Sequence, residues 1–135
     1  MKHIMAAIDG SEPSYRALEH AATLAKAVGA QLSILIIREF IVSRKGIYDF
    51  LTEEEVKAIQ DKAREIVLAA GDPARNFILE KSRDAAFKIV DVAIDKGADL
   101  IVMGASGKGG FKSFLIGSVS QEVLRKSACP VTIVH

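Results

Sequence analysis

The chain has 135 residues, half of them hydrophobic, and its 18 basic and 17 acidic residues leave a formal net charge of +1. This length suits one domain with a buried core, and the balanced charge gives no basis for nonspecific binding to nucleic acid or to an anionic membrane. The single cysteine favours a reducing compartment, and no apolar run is long enough to cross a bilayer, so we expect a cytoplasmic protein.

The chain begins with a predicted strand, helix and strand. Apolar residues over His3 to Ile8 predict a buried strand that ends at a glycine-containing turn. Ser11 is placed to cap the following helix, whose apolar face repeats at helical spacing until Gly29. Leu32 to Ile37 is almost continuously apolar, which indicates a strand covered on both faces. The segment from Arg38 to Leu51 fits three interpretations: a strand extension, a lid or a partner contact.

The rest of the chain continues the alternation of helices and strands. Strict alternation indicates a parallel sheet with helices on both faces, and right-handed crossovers make such a sheet doubly wound. We therefore predict a single-domain α/β fold over residues 1–135, with a five-stranded parallel sheet in the order 3-2-1-4-5. The remaining predicted helices begin at a capping box at Thr52 to Glu55, at Ala86 and at Ser118, and the remaining strands cover Asn76 to Glu80, Leu100 to Met103 and Pro130 to Val134.

A glycine-spaced loop follows the fourth predicted strand. Gly104 and Gly107 are followed, after nine residues, by Gly117 and Ser118 at the predicted start of a helix. Glycines let backbone N–H groups approach an anion closely, and a helix start adds unpaired N–H donors. In the predicted strand order, Asp9 lies beside this loop where the winding of the sheet reverses, which is where such sheets bind ligands. The two segments together predict a phosphate site.

The spacing of this loop excludes two common phosphate motifs. A P-loop requires a glycine, four residues, and then Gly-Lys followed by Ser or Thr. Gly107-Lys108 lacks the glycine at that upstream spacing, and Gly109 follows the lysine. The dinucleotide-binding fingerprint requires a third glycine where Lys112 stands, and it belongs after the first strand.

The loop resembles the G-x2-G-x9-G-S/T pattern of the universal stress protein family, in its ATP-binding branch. The turn Ile8 to Ser11 and the segments Ala98 to Gly104, Gly117 to Ser120 and Cys129 to Val131 are also typical of that family. The resemblance covers the whole chain. It implies the adenine nucleotide alpha hydrolase-like fold and a homodimer that forms through the C-terminal strand.

The resemblance also implies a function and a site. The protein would bind ATP or another adenine nucleotide with Mg²⁺ and act in the regulation of a stress response, with a protein partner that the sequence does not identify. Asp9 would lie near the ribose and phosphates and help to hold the metal. The resemblance places Ala7, Ile8, Ile37, Met103 and Gly104 around the base and ribose, and Gly107, Gly117, Ser118, Val119 and Ser120 at the phosphates.

Three positions depart from the family pattern. Ile36 stands where many members carry histidine, Glu80 to Asp84 replaces a glycine-containing turn, and Arg38 to Leu51 is unusual. Two other functions stay open, a slow ATPase or phosphotransferase and a nucleotide-free dimeric interaction module. No residue is evident as a base that could activate water, so any turnover would be slow. The last strand carries no charge that would block pairing at a sheet edge, which also favours a homodimer.

Overall fold

The structure, a computed structural model, describes residues 1–105 and 116–135. Among these residues, none of the helices has the length and apolar character needed to span a bilayer. The described residues form β1 (His3–Ile8), α1 (Glu12–Val28), β2 (Gln31–Ser43), β3 (Gly46–Asp49), α2 (Glu53–Ala69), β4 (Arg75–Ser82), α3 (Ala85–Lys96), β5 (Leu100–Gly104), α4 (Ser118–Lys126) and β6 (Val131–Val134).

Five strands form a parallel sheet in the order β4-β2-β1-β5-β6. β1 lies in the middle, with Ile4 opposite Leu32 of β2 on one side and opposite Leu100 of β5 on the other. This order confirms the predicted one, since β4, β5 and β6 are the third, fourth and fifth strands expected from the sequence. The winding of the sheet reverses between β1 and β5, so the carboxyl ends of these two strands lie side by side.

The segment that fitted three interpretations forms a strand extension followed by a hairpin. β2 continues from Ile37 to Ser43, and β3 pairs with it antiparallel, with Ser43 opposite Gly46. Arg38 holds the base of this hairpin: its Nε donates to the carbonyl oxygen of Leu51 at 2.7 Å, and its guanidinium lies 3.3 Å from the carboxylate of Asp49. The hairpin is therefore an addition to the five-stranded sheet that the alternating pattern did not reveal.

Two helices cover each face of the sheet. Side chains alternate between the two faces along a strand, so β1 contributes Ile4, Ala6 and Ile8 to the core beneath α1 and α2, and Met5 and Ala7 to the core beneath α3 and α4. The arrangement confirms the predicted helices on both faces. It also decides which strand residues can reach a ligand from either side.

Asp99 joins the beginning of β1 to the beginning of β5. Its Oδ2 accepts the N–H groups of Lys2 at 2.6 Å and His3 at 2.8 Å, and its own N–H donates to the His3 carbonyl oxygen at 2.8 Å. The two N–H donors lower the pKa of the Asp99 carboxyl. The carboxylate thus connects β1 and β5 at the end of the sheet opposite the predicted site.

We predict that Asp99→Ala lowers the melting temperature at pH 7. A carboxyl with a lowered pKa stabilises the folded state above its unfolded pKa, and this stabilisation is lost as the pH falls through the folded pKa. The difference in melting temperature between wild type and variant should therefore shrink below about pH 4. Thermal denaturation from pH 7 to pH 2.5 measures it, with Asp91→Ala on the exposed side of α3 as the control. A difference that stays constant with pH would contradict this role.

Candidate functional site

The first turn of α1 holds Asp9 at the carboxyl end of β1. Asp9 Oδ1 accepts the N–H of Ser11 at 2.9 Å, and Ser11 Oγ caps the helix by accepting the N–H of Ser14 at 3.3 Å. The Ser14 hydroxyl donates to the Ser11 carbonyl oxygen at 2.8 Å and accepts the Asp9 N–H at 3.3 Å. Gly10 has a φ of 87°, a left-handed conformation that favours glycine. The turn is therefore held together by its own polar groups.

Gly104, the last residue of β5, packs directly against this turn. A Cβ atom at this position would stand 2.8 Å from the carbonyl carbon of Pro13 and 2.9 Å from the backbone nitrogen of Ser14. These are backbone atoms of a helix and cannot turn aside as a flexible side chain would. Gly104 is thus required for the contact between the end of β5 and the start of α1.

Hydrogen bonds join the start of α4 to the same strand end. The Ser120 hydroxyl is buried and donates to the Gly104 carbonyl oxygen at 2.8 Å. The Gly117 N–H donates to the carbonyl oxygen of Ala105 at 2.6 Å, so the residues on either side of segment 106–115 are in contact. Both ends of the predicted glycine loop are therefore fixed beside the turn that carries Asp9.

The N-terminus of α4 offers backbone donors beside this turn. Gly117 is the N-cap residue, and no side chain within residues 1–105 or 116–135 caps the helix there. The first N–H groups of a helix have no partner within it and favour an anion. Ser118 is exposed and Val119 is half-buried. Gly107, which the sequence also predicted at the phosphates, lies outside the described residues, as do Lys108 and Lys112.

The residues predicted around the base fall on different faces of the sheet. The side chains of Ala7 and Met103 are buried beneath α3 and α4, and Ile37 is half-buried on the same face. Ile8 packs on the opposite face, beneath α1 and α2. Ile36, which stands where many family members carry histidine, packs on that face too. Ala7, Ile8 and Met103 can therefore meet a ligand mainly through their backbone, at the strand ends.

Acidic side chains surround the carboxyl ends of β1, β2 and β4. Burial raises the pKa of the Glu39 carboxyl, and the negative charges of Asp84 and Asp9 raise it further. Burial likewise raises the pKa of the Tyr15 phenol, with Asp9 and Glu12 adding to the effect. Asp84 caps α3 by accepting the N–H of Phe87 at 3.1 Å. These carboxylates add negative charge at this edge, and the N-termini of helices add partial positive charge.

The acidic rim, formed by Asp9, Glu39 and Asp84, does not hold a metal ion by itself. Among the described residues, no group of three or more His, Cys, Asp or Glu side chains is arranged to hold a metal ion. A Mg²⁺ ion at Asp9 would therefore need ligands from a bound phosphate and from water, which is a usual arrangement for this ion.

The structure thus brings together Asp9, Gly104, Gly117 and Ser120 from distant parts of the sequence. Sequence reasoning missed Ser14, whose buried hydroxyl bridges the turn at Asp9. No signal in the sequence distinguishes this serine from any other in the first turn of a helix. Glu39 was also missed, although it lies two residues after Ile37 and so belongs to the same face of β2.

Comparison with known proteins gives a consistent result. A model of the universal stress protein family matches residues 1–135. Universal stress protein YxiE of Bacillus subtilis (strain 168) is 35% identical over 144 residues, covering 98% of this chain and 97% of that protein. The family expected from the glycine spacing is thereby confirmed.

Solved structures agree with this family and fold. A crystal structure of a universal stress protein in complex with cAMP is 27% identical with a TM-score of 0.78, covering 99% of this chain and 97% of that one. A universal stress protein from Archaeoglobus fulgidus in complex with dAMP is 21% identical with a TM-score of 0.70, covering 100% of this chain and 98% of that one. At that identity the similarity shows the fold alone. These neighbours have the adenine nucleotide alpha hydrolase-like fold, which confirms the expected fold.

We predict that Gly104→Ala destabilises the protein by about 1–3 kcal/mol, the usual cost of forcing a methyl group into a filled space. The added Cβ would push apart β5 and the first turn of α1, because its nearest neighbours are backbone atoms of Pro13 and Ser14. Urea denaturation measures the change. A variant as stable as the wild type would show that the two segments separate without cost and are not held in contact.

Proposed function

The chain belongs to the universal stress protein family, and we propose that it is a regulatory protein that binds ATP or another adenine nucleotide between the carboxyl ends of β1 and β5. One observation carries this proposal: Gly104 packs on the turn that holds Asp9, while Gly117 and Ser120 fasten the start of α4 to the same place. A carboxylate and a helix N-terminus are thereby held at one edge of the sheet.

The start of α4 supports a phosphate position. No described side chain caps its first backbone N–H groups, and the exposed Ser118 hydroxyl is a further donor. In this arrangement the phosphates lie against Gly117, Ser118 and Val119. The Ser120 hydroxyl holds the Gly104 carbonyl group, so we assign Ser120 chiefly to positioning the loop end, with only its backbone N–H available to a phosphate.

The acidic rim favours a nucleotide that carries a cation. Asp9, Glu39 and Asp84 repel a free polyphosphate, and Mg²⁺ bound to the phosphates would neutralise part of their charge. Asp9 is the protein residue that would hold this ion, together with phosphate oxygens and water. We therefore propose the magnesium complex of the nucleotide as the ligand.

The base and ribose would lie toward β2. Ala7 and Ile8 lie at the carboxyl end of β1, and Met103 lies at that of β5. Ile37 is half-buried on the neighbouring strand β2. The neighbour at 27% identity was solved with cAMP, which supports an adenine-containing ligand. The sequence shows no evident general base that could activate water for hydrolysis. We therefore propose that the protein binds the nucleotide and that any hydrolysis is slow.

We propose that the protein responds to stress in the cytoplasm by acting on a protein partner in a nucleotide-dependent way. The family name supports a part in the stress response, and the single cysteine favours a reducing compartment. The balanced charge argues against nucleic acid and anionic membrane as partners.

We predict that Mg-ATP raises the melting temperature of the purified protein. At a free ligand concentration of about 100 times Kd, binding to the folded state adds about 2.7 kcal/mol to its stability, which corresponds to several degrees in a domain of this size. Mass spectrometry of any nucleotide released on denaturation identifies the natural ligand. No released nucleotide and no shift at millimolar Mg-ATP would contradict the proposal.

Asp9→Asn separates the metal role from the structural role of this residue. The amide oxygen of asparagine can still accept the Ser11 N–H, which Asp9 Oδ1 accepts at 2.9 Å, so the turn should keep its form. We expect this variant to fold but to lose most of the dependence of ATP affinity on Mg²⁺, whereas Asp9→Ala should also lower stability without ligand. Titration calorimetry with and without Mg²⁺ distinguishes the two effects.

We also propose a homodimer that forms through β6. This strand is at the edge of the sheet, paired with β5 in the described part of the chain, and its four residues are half-buried. The Ile101 N–H donates to the Pro130 carbonyl oxygen and the Ala105 N–H to that of Val134. By the alternation of a strand, the backbone groups of Val131 point away from β5 and are available to a second copy.

We predict that the wild type is a dimer at micromolar concentration and that Val131→Pro is a monomer, because proline removes an outward N–H group without removing a bond to β5. Val131→Ala is the matched control, since it shortens the same side chain but keeps the N–H, and it should remain a dimer. Sedimentation velocity measures all three. A monomeric wild type would exclude this interface.

A further inference from the structure

The backbone of β2 alternates between its two neighbours. The Gln31 N–H donates to the carbonyl oxygen of Lys2, just before β1, and the Leu32 N–H donates to that of Ala74, just before β4. The pairing with β4 continues without a break to Glu39. Odd-numbered residues of β2 therefore direct their backbone groups toward the β1 side, and even-numbered residues direct theirs toward the β4 side.

This alternation places the hairpin above the end of β1. The Phe50 N–H donates to the carbonyl oxygen of Glu39 at 2.9 Å, and Glu39 is odd-numbered, so β3 approaches β2 from the side where β1 lies. β1 ends at Ile8, opposite Ile36, three residues earlier along β2. At the rise of a strand, Phe50 lies about 10 Å beyond Ile8 along β2, so the crevice at Asp9 opens between them.

The side chain of Phe50 belongs to the face of the sheet that carries this crevice. Leu35 and Ile37 pack on the α3 and α4 side, and by alternation Glu39 follows them on that face. The negative charges of Asp84 and Asp9 act on the Glu39 carboxyl, which agrees with this orientation. Phe50 stands opposite Glu39 and therefore shares its face.

Two exposed aromatic side chains of the hairpin thus lie on the same face of the sheet as Ile37. Phe50 is 59% exposed and Tyr48, opposite Ile41, is 48% exposed. Tyr48 lies two residues farther along the hairpin, about 7 Å beyond Phe50, so Phe50 is the nearer ring to the crevice. An exposed phenyl ring offers its face to a ligand, and a flat heterocycle can stack on it.

We propose that Phe50 contacts the ligand directly by stacking on the base of the bound nucleotide, so that the hairpin forms the outer wall of the base site. The proposal rests on the proposed function, since it needs a nucleotide at Asp9. Continuity with that site favours the base over a protein partner: Phe50 shares the face of Ile37 and lies at the end of the hairpin next to β1, the end that Arg38 holds through Leu51 and Asp49.

The hairpin provides a matched pair of variants. Phe50→Ala removes the ring on the crevice side, and Phe50→Tyr keeps it. Ile47→Ala removes an apolar side chain that is 67% exposed on the other face of the same hairpin, opposite Val42. Since these side chains are exposed, each variant should melt near the wild-type temperature without ligand.

Titration calorimetry with Mg-ATP tests the proposal. We expect Phe50→Ala to weaken binding at least about fivefold, the effect usual for losing one base–aromatic stack, while Phe50→Tyr and Ile47→Ala bind like the wild type. Nuclear Overhauser effects between base protons of ATP and the Phe50 ring should appear in the wild-type complex.

Unchanged affinity in Phe50→Ala would overturn the stacking role and leave the proposed function intact. Weakened affinity without an Overhauser effect to the ring would also overturn it, because Phe50 would then act from a distance. A wild type that does not bind Mg-ATP would refute the proposed function itself, and the stacking role with it.

Discussion

The close approach of β5 to the first turn of α1 is the constraint on which the site depends. A Cβ atom at Gly104 would stand within 2.9 Å of backbone atoms of Pro13 and Ser14, so only glycine allows the strand to end there without displacement. This contact places the carboxyl end of β5 beside Asp9. The crevice thus follows from one missing side chain at the point where the winding of the sheet reverses.

Buried hydroxyl groups make this contact stable. Ser14 and Ser120 are each 3% exposed, and both use their hydroxyls on backbone groups, Ser14 within the turn at Asp9 and Ser120 on the Gly104 carbonyl. A buried polar group without a partner would cost stability, and no buried side-chain nitrogen or oxygen among the described residues lacks one. These serines hold the strand ends and helix starts in place.

The electrostatics of the crevice are divided between its two sides. Burial raises the pKa of the Glu39 carboxyl on the β1, β2 and β4 side, and the negative charges of Asp84 and Asp9 raise it further. The start of α4, in contrast, presents backbone N–H groups and the positive end of a helix dipole. A ligand with one anionic end and one neutral, aromatic end fits this division better than a uniformly charged one. The proposed nucleotide has this form, with a cation shared between its phosphates and Asp9.

The sequence by itself determined the family and the element types outside Arg38 to Leu51, because periodicity, capping residues such as Ser11 and Thr52, and glycine spacing are local signals. Alternating strands and helices permit few topologies. The sequence therefore also predicted that Asp9 and Gly104 lie together at the carboxyl ends of neighbouring strands. Only the tertiary structure decided the partner of the Ser120 hydroxyl and the place of the hairpin above β1. Both depend on contacts between segments distant in sequence, and Arg38 to Leu51 has no periodicity that encodes such a contact.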